Sequence, residues 1–149
     1  MIKVLFICHG NICRSVMAHY IMQDMVNKMG RAEDFFIESA ATSNEEIGNP
    51  IYPPARKKLN EVGVPIGTHR ARRLAKSDYE EYDYLIGMDS ENMYYIPRIT
   101  GGDPEGKIYK LLSFAGLDKD IADPWYTGNF DETYDDIVCG LKAFLEGEK

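Results

Sequence analysis

The first run of apolar residues, IKVLFIC at 2–8, is broken only by Lys3. Its lack of alternation suits a strand of a parallel sheet covered on both faces. From Ser15 to Met29 the period changes. Met17, Ile21, Met25 and Met29 recur every four residues, Ala18 and Met22 widen the stripe, and Gly30 stops it, which predicts a helix. The same alternation continues along the chain. DFFIESA (34–40) reads as a strand, PPARKKLNEVG from Pro53 as a helix and YDYLIGM (82–88) as a strand. ENMYYI after Asp89 reads as a helix and GKIYKLL (106–112) as a short strand. Tyr134, Ile137, Val138, Leu141, Phe144 and Leu145 fall on one face of a last helix. Asp131, Glu132, Asp135 and Asp136 gather at its positive N-terminal end, and Gly147 follows. Strands alternating with helices predict an α/β fold, a small doubly wound four-stranded parallel sheet with helices on both faces.

Composition narrows the setting. The 149 residues, 44% hydrophobic and 28% charged, fit a single domain, 1–149, with room for a real core. The apolar opening is too short for a membrane span or a signal peptide, so a cytoplasmic protein is expected. Three cysteines without CxxC spacing argue against a disulfide framework or a zinc site. A net charge of −7 repels nucleic acid and anionic membranes, so neither is expected as a partner and any anion site must be local.

The chemistry concentrates in residues 8–15, CHGNICRS, between the first strand and the first helix. Ligands of doubly wound sheets sit beyond the carboxyl ends of the strands, and backbone amides entering a helix make an anion cradle there. The stretch has one glycine and no lysine, which excludes a dinucleotide fingerprint and a nucleotide P-loop. What remains is Cys8, Arg14 and the loop between them. Amide dipoles, a helix N-terminus and a guanidinium favour the thiolate, the reactive form of cysteine. Arg14 offers a planar fork for two oxygens of a tetrahedral anion. Sulfur attack on a phosphate monoester would give a cysteinyl phosphate, with no metal or other cofactor required. The leaving oxygen needs a proton, and Asp123 in ADPWYTG can supply it, then activate the water that releases inorganic phosphate.

The loop CHGNICRS, the segment ESAATS, the stretch THRARRL, the pair Met88-Asp89 and the late DPWY, in that order, resemble the low-molecular-weight protein tyrosine phosphatase family over nearly the whole chain. The resemblance implies Cys8 as nucleophile, Arg14 as phosphate-binding arginine and Asp123 as general acid. It implies that His9, Gly10, Asn11, Ile12, Cys13, Arg14 and Ser15 form the phosphate-binding loop, and that Asn11, Ser15, Ser39 and His69 support it. Ser15 is also placed to hydrogen-bond the thiolate. Cys13 matches a second loop cysteine that can pair with the nucleophile under oxidation. Tyrosine-phosphorylated proteins are the partners such a family implies.

The match departs from the family pattern in places. Val16 stands where proline is usual, and Ala41 replaces a glycine. In SNEE (43–46), Glu45 and Glu46 occupy a region where many members place an aromatic wall, whereas Trp125 and Tyr126 retain flat surfaces for an aryl phosphate. Other residues have plainer readings. Cys139 is expected in the core face of the last helix, and Cys13 is open between packing and redox protection. Asp89 is expected to cap a helix or support residues 123–126. His9 and His19 are expected to be solvated or locally bonded, and the basic run 69–73 to be a solvated face. Two other functions share the motif. An arsenate reductase on this scaffold would carry a further cysteine pair, yet residues 70–95 contain no cysteine. A non-catalytic phosphate-binding module would have no use for Cys8, Arg14 and Asp123 together.

Overall fold

The computed structural model describes residues 1–147. Its sheet consists of β1 (Ile2–Cys8), β2 (Phe35–Ala41), β3 (Tyr84–Gly87) and β4 (Ile108–Lys110), all parallel, in the order β2-β1-β3-β4. The helices are α1 (Arg14–Lys28), α2 (Pro53–Glu61), α3 (Asp78–Glu81), α4 (Ser90–Thr100), α5 (Pro124–Thr127) and α6 (Phe130–Gly147). They cover both faces, as the alternating pattern predicts.

β1 shows why an unbroken apolar run is needed. Val4, Phe6 and Cys8 face a cluster built with α1, α2 and α6, while Leu5 and Ile7 face Leu74, Tyr79, Tyr82 and Ile96 on the other side. Val4, Leu5, Phe6 and Ile7 are fully buried, and each contributes about 1.5–3 kcal/mol relative to exposure. α6 lays Ile137, Leu141, Phe144 and Leu145 into the first cluster, with Tyr134 and Val138 half-buried at its edge. At Gly140 the helix comes so close to the turn that follows β4 (Leu111–Ala115) that an added Cβ would stand 2.6 Å from Leu111 Cγ.

Three expectations change. Cys139 is exposed, because two residues past Ile137 is about 200° around a helix, which points its thiol away from the core. Met29 is 48% exposed as the residue after α1; Met22 and Val26 complete the buried stripe instead. α4 runs beyond ENMYYI, through Pro97 to Thr100, and ends at Gly101 in the left-handed region. Asp89 does cap α4, accepting from the Asn92 amide at 2.8 Å.

The strand order sets the position of the site. From β1 the chain crosses to β2 on one side and later to β3 on the other, so the sheet changes direction at the carboxyl end of β1. Cys8 is the last residue of that strand, and the loop 9–13 lies in the crevice.

Candidate active site

Loop 9–13 is held by its carbonyls. Cys8 O accepts from the Thr42 amide at 2.9 Å, His9 O from the Ser43 amide and hydroxyl, and Ile12 O from the Tyr52 amide at 2.9 Å. In a trans peptide the next N–H points opposite its carbonyl, so anchoring these oxygens outward turns the amides of His9, Gly10 and Cys13 inward. α1 begins without a side-chain cap, leaving its positive end facing the same space. Asn11 has φ 60°, the only positive value at a non-glycine among the described residues. Its amide donates to Cys8 Sγ at 3.3 Å.

A buried polar relay fixes this conformation. Asn11 Nδ2 donates to Ser15 Oγ at 2.7 Å, and that hydroxyl lies 3.0 Å from Cys8 Sγ, which leaves its hydrogen for the sulfur. Asn11 Oδ1 accepts from His69 Nε2 at 2.7 Å and from the Arg72 amide at 3.3 Å. With Asn11 and Ser15 1% and 0% exposed, every broken link would strand a desolvated polar group. Ser39 stands one step further out than the resemblance implies. Its hydroxyl meets His19 Nδ1 at 3.0 Å, and the His19 ring packs edge-on against His69 at 5.3 Å.

Burial, with His69 alongside, lowers the pKa of His19 from its ordinary 6.5 to about 4. In that interval the unfolded chain binds a proton that the folded protein refuses, so the contribution of His19 is complete above pH 6.5 and is lost as pH falls toward 4. The loss amounts to about 3 kcal/mol. His69 is lowered too, by burial and Arg72, whereas burial raises Glu38 and opposes the trend. Denaturant unfolding at pH 7 and pH 4 should therefore show a larger drop for the parent protein than for His19→Gln. Equal drops would contradict this account of the ring.

Arg14 is 2% exposed at the opposite side of the loop. Nη1 donates to Asp89 Oδ2 at 2.6 Å and to Ile121 O at 2.9 Å, and Nη2 lies 3.4 Å from Asp123 Oδ2. Burial opposes its charge, but Cys8, Asp89 and Asp123 outweigh that and raise its pKa further, so the guanidinium is always protonated. Asp123 sits at the N-cap of α5, where Oδ1 accepts from the Trp125 amide at 3.0 Å and fixes the carboxyl toward the loop. Burial, reinforced by Cys8 and Asp123, pushes the Cys13 thiol far above its ordinary range and keeps it protonated.

Cys8, His9, Gly10, Ile12, Cys13, Arg14, Glu45, Glu46, Asp123, Trp125 and Tyr126 line one pocket. Its two rims differ chemically. Trp125 and Tyr126 are 50% and 82% exposed, and the indole is backed by Tyr52 at 4.7 Å. The other rim is acidic: Glu45 Oε2 meets His9 Nε2 at 2.9 Å, and Glu46 Oε2 accepts from Asn49 Nδ2 at 2.6 Å. Asp89 and His19 are the residues whose place here the sequence reading misses. The ion pair of Asp89 with Arg14 spans 75 positions and carries no local signal. His19 had one, since it lies four residues after Ser15 on the same face of α1.

The model for the low molecular weight phosphotyrosine protein phosphatase family matches residues 3–148. The chain is 36% identical to the low molecular weight protein-tyrosine-phosphatase YfkJ of Bacillus subtilis, over 97% of this chain and 94% of that protein. Against the crystal structure of YfkJ the TM-score is 0.94, covering 99% of this chain and 94% of the other. It is 35% identical to low molecular weight phosphotyrosine protein phosphatase 1 of Drosophila melanogaster, over 97% and 95% of the two chains. A Drosophila arginine phosphatase structure is similar at 27% identity and TM-score 0.89, over 99% and 98%.

Proposed function

Because this chain belongs to the low molecular weight phosphotyrosine protein phosphatase family, we propose that it hydrolyses phosphotyrosine in proteins through a phosphate carried on Cys8. It is a hydrolase of the protein-tyrosine-phosphatase class. The observation that supports this mechanism most directly is the convergence of Cys8, Arg14 and Asp123 on one pocket behind inward-turned amides.

In this reading the phosphate monoester enters with its equatorial oxygens on the amides and the Arg14 fork. An electron pair on Cys8 Sγ forms the S–P bond as the P–O bond to the leaving group breaks in line, and Asp123 gives that oxygen its proton. Water then attacks phosphorus and passes a proton back to Asp123, the S–P bond breaks, and inorganic phosphate leaves. Arg14 and the amides carry the charge that a metal would otherwise neutralise. The aromatic rim at Trp125 favours an aryl ester, which selects phosphotyrosine over phosphoserine. Neither an arsenate reductase nor a non-catalytic phosphate binder is favoured.

The deciding assay, run with chelator present, compares phosphotyrosyl, phosphoseryl and phosphoarginyl peptides. Turnover of the phosphotyrosyl peptide at least about a hundredfold above the others is expected, and preference for phosphoarginine or phosphoserine would overturn the substrate assignment.

A cytoplasmic location fits this function, and no helix among the described residues is long and apolar enough to cross a membrane. Reversible oxidation belongs to the same proposal. Peroxide would convert Cys8 to a sulfenic acid and water, and the Cys13 thiol would then displace a second water to close a disulfide. Mild peroxide should inactivate the enzyme reversibly with an 8–13 linkage visible by peptide mass spectrometry. Inactive protein lacking that linkage would exclude it.

A further inference from the structure

Behind the phosphate loop, on the side away from the catalytic pocket, His19, Glu38 and His69 offer one ligand atom each, all within 4.8 Å of one another. We propose that these three residues form a site for a divalent transition ion of the zinc type, linked to the phosphate loop through the His69–Asn11 hydrogen bond.

The hydrogen-bond relay fixes which atoms are free. Asn11 Nδ2 donates to Ser15, so Asn11 Oδ1 is an acceptor and His69 Nε2 carries the proton between them. A neutral His69 then presents a bare Nδ1 lone pair to Glu38 Oε2, 3.7 Å away. When no proton fills that gap, two electron-pair donors converge on one point, where a metal ion can take the proton's place. His19 follows the same pattern. In the tautomer whose Nδ1–H donates to Ser39 Oγ, 3.0 Å away, Nε2 keeps a free lone pair for a metal. Metal-ligating histidines characteristically anchor the opposite ring nitrogen on an oxygen, which fixes tautomer and orientation, and both anchors are present here.

Two imidazoles and one carboxylate are a donor set suited to Zn2+ and similar borderline ions rather than to Mg2+ or Ca2+, which prefer all-oxygen sites. The ligands must close from separations of up to 4.8 Å to the spacing set by bonds of about 2.0–2.1 Å. Glu38, with its side chain 35% exposed against 11% for His69, has room to move toward the rings. A cleft of about 470 Å³ opens over these residues and admits water to complete the coordination. Arg72, whose charge acts on both His69 and Glu38, is held by Asp78 through two contacts at 3.0 and 3.2 Å, which offsets its repulsion.

The ion would pull on the ring whose other nitrogen secures Asn11, so metal and anion affinities should be thermodynamically linked. The linkage rests on the phosphate-binding reading of the loop; the metal site does not.

The test uses Cys8→Ser protein, which removes the thiol at position 8 as a competing ligand and leaves Cys13 and Cys139 to be detected through cobalt. Calorimetry with Zn2+ should show one equivalent bound. Co2+ should give visible ligand-field bands without a sulfur-to-cobalt charge-transfer band. Glu38→Gln and His19→Gln, each added to Cys8→Ser, should weaken Zn2+ at least about tenfold. Glu38 touches nothing in the catalytic pocket, so Glu38→Gln alone should retain turnover in chelator and report whether the fold is intact. Saturating Zn2+ should shift the affinity for benzylphosphonate about fivefold or more, and this shift should vanish with Glu38→Gln. No bound Zn2+, or binding indifferent to both variants, overturns the site. Binding that leaves the phosphonate affinity unchanged overturns the linkage.

Discussion

Cys8→Ser should lose turnover by about 10⁴-fold or more while the protein still folds and still binds phosphate. The loss is large because the hydroxyl is a far weaker nucleophile than sulfur, and the groups around it are arranged for sulfur. Ser15 and the Asn11 amide both direct hydrogen toward Sγ. These donors stabilise an anion but take no proton from a neutral hydroxyl, so the loop cannot activate a serine. Phosphate binding should survive because the inward amides of His9, Gly10 and Cys13 and the Arg14 guanidinium held by Asp89 do not depend on the sulfur. Steady-state kinetics on an aryl phosphate, with calorimetry of phosphate binding, checks both halves. Turnover within tenfold of the parent would remove Cys8 from the nucleophilic role, and lost phosphate binding would show that the substitution had damaged the loop.

Asp123→Asn should slow a phenyl or alkyl phosphate by about 10²–10⁴-fold and p-nitrophenyl phosphate much less. An amide keeps the shape and the acceptor oxygen that receives the Trp125 amide, so α5 and the aromatic rim should stay in place. It cannot donate the proton that a basic leaving oxygen requires, whereas a nitrophenolate departs without one. The dependence of log kcat on leaving-group pKa should therefore become steeper in the variant. A uniform loss across leaving groups would mean that Asp123 acts only through its 3.4 Å contact with Arg14, positioning the guanidinium rather than transferring a proton.

The parts of this protein visible in the sequence are those governed by local rules. β1 follows from an apolar run too continuous for anything but a doubly covered strand, and α6 from six buried or half-buried residues at helical spacing. The loop between Cys8 and Arg14 was visible because strand, turn and helix signals meet there with a thiol and a guanidinium at its ends. The one-turn helices α3 and α5 were not, since four residues give no period to read. Long-range pairings were also hidden. Nothing in the local pattern around Asp89 says that, besides capping α4, its second oxygen holds Arg14. Likewise Ser39 looks like a direct support of the loop until the sheet register sets it beside Phe6, where His19 intervenes. Cys139 differs for a simpler reason: its small apolar side chain suits an apolar helix, but its angle from Ile137 turns it to the solvent side.

The central claim is that phosphate passes through a covalent bond to the sulfur at position 8, and trapping that bond tests it most directly. Asp123→Asn protein mixed with labelled p-nitrophenyl phosphate should accumulate the intermediate, because loading is hardly slowed while the base for its hydrolysis is gone. Rapid acid quench, digestion and mass spectrometry should find phosphate on the peptide that carries Cys8, in amounts approaching one per enzyme. Label on any other residue, or none at Cys8 while nitrophenolate is released in a stoichiometric burst, would contradict the account.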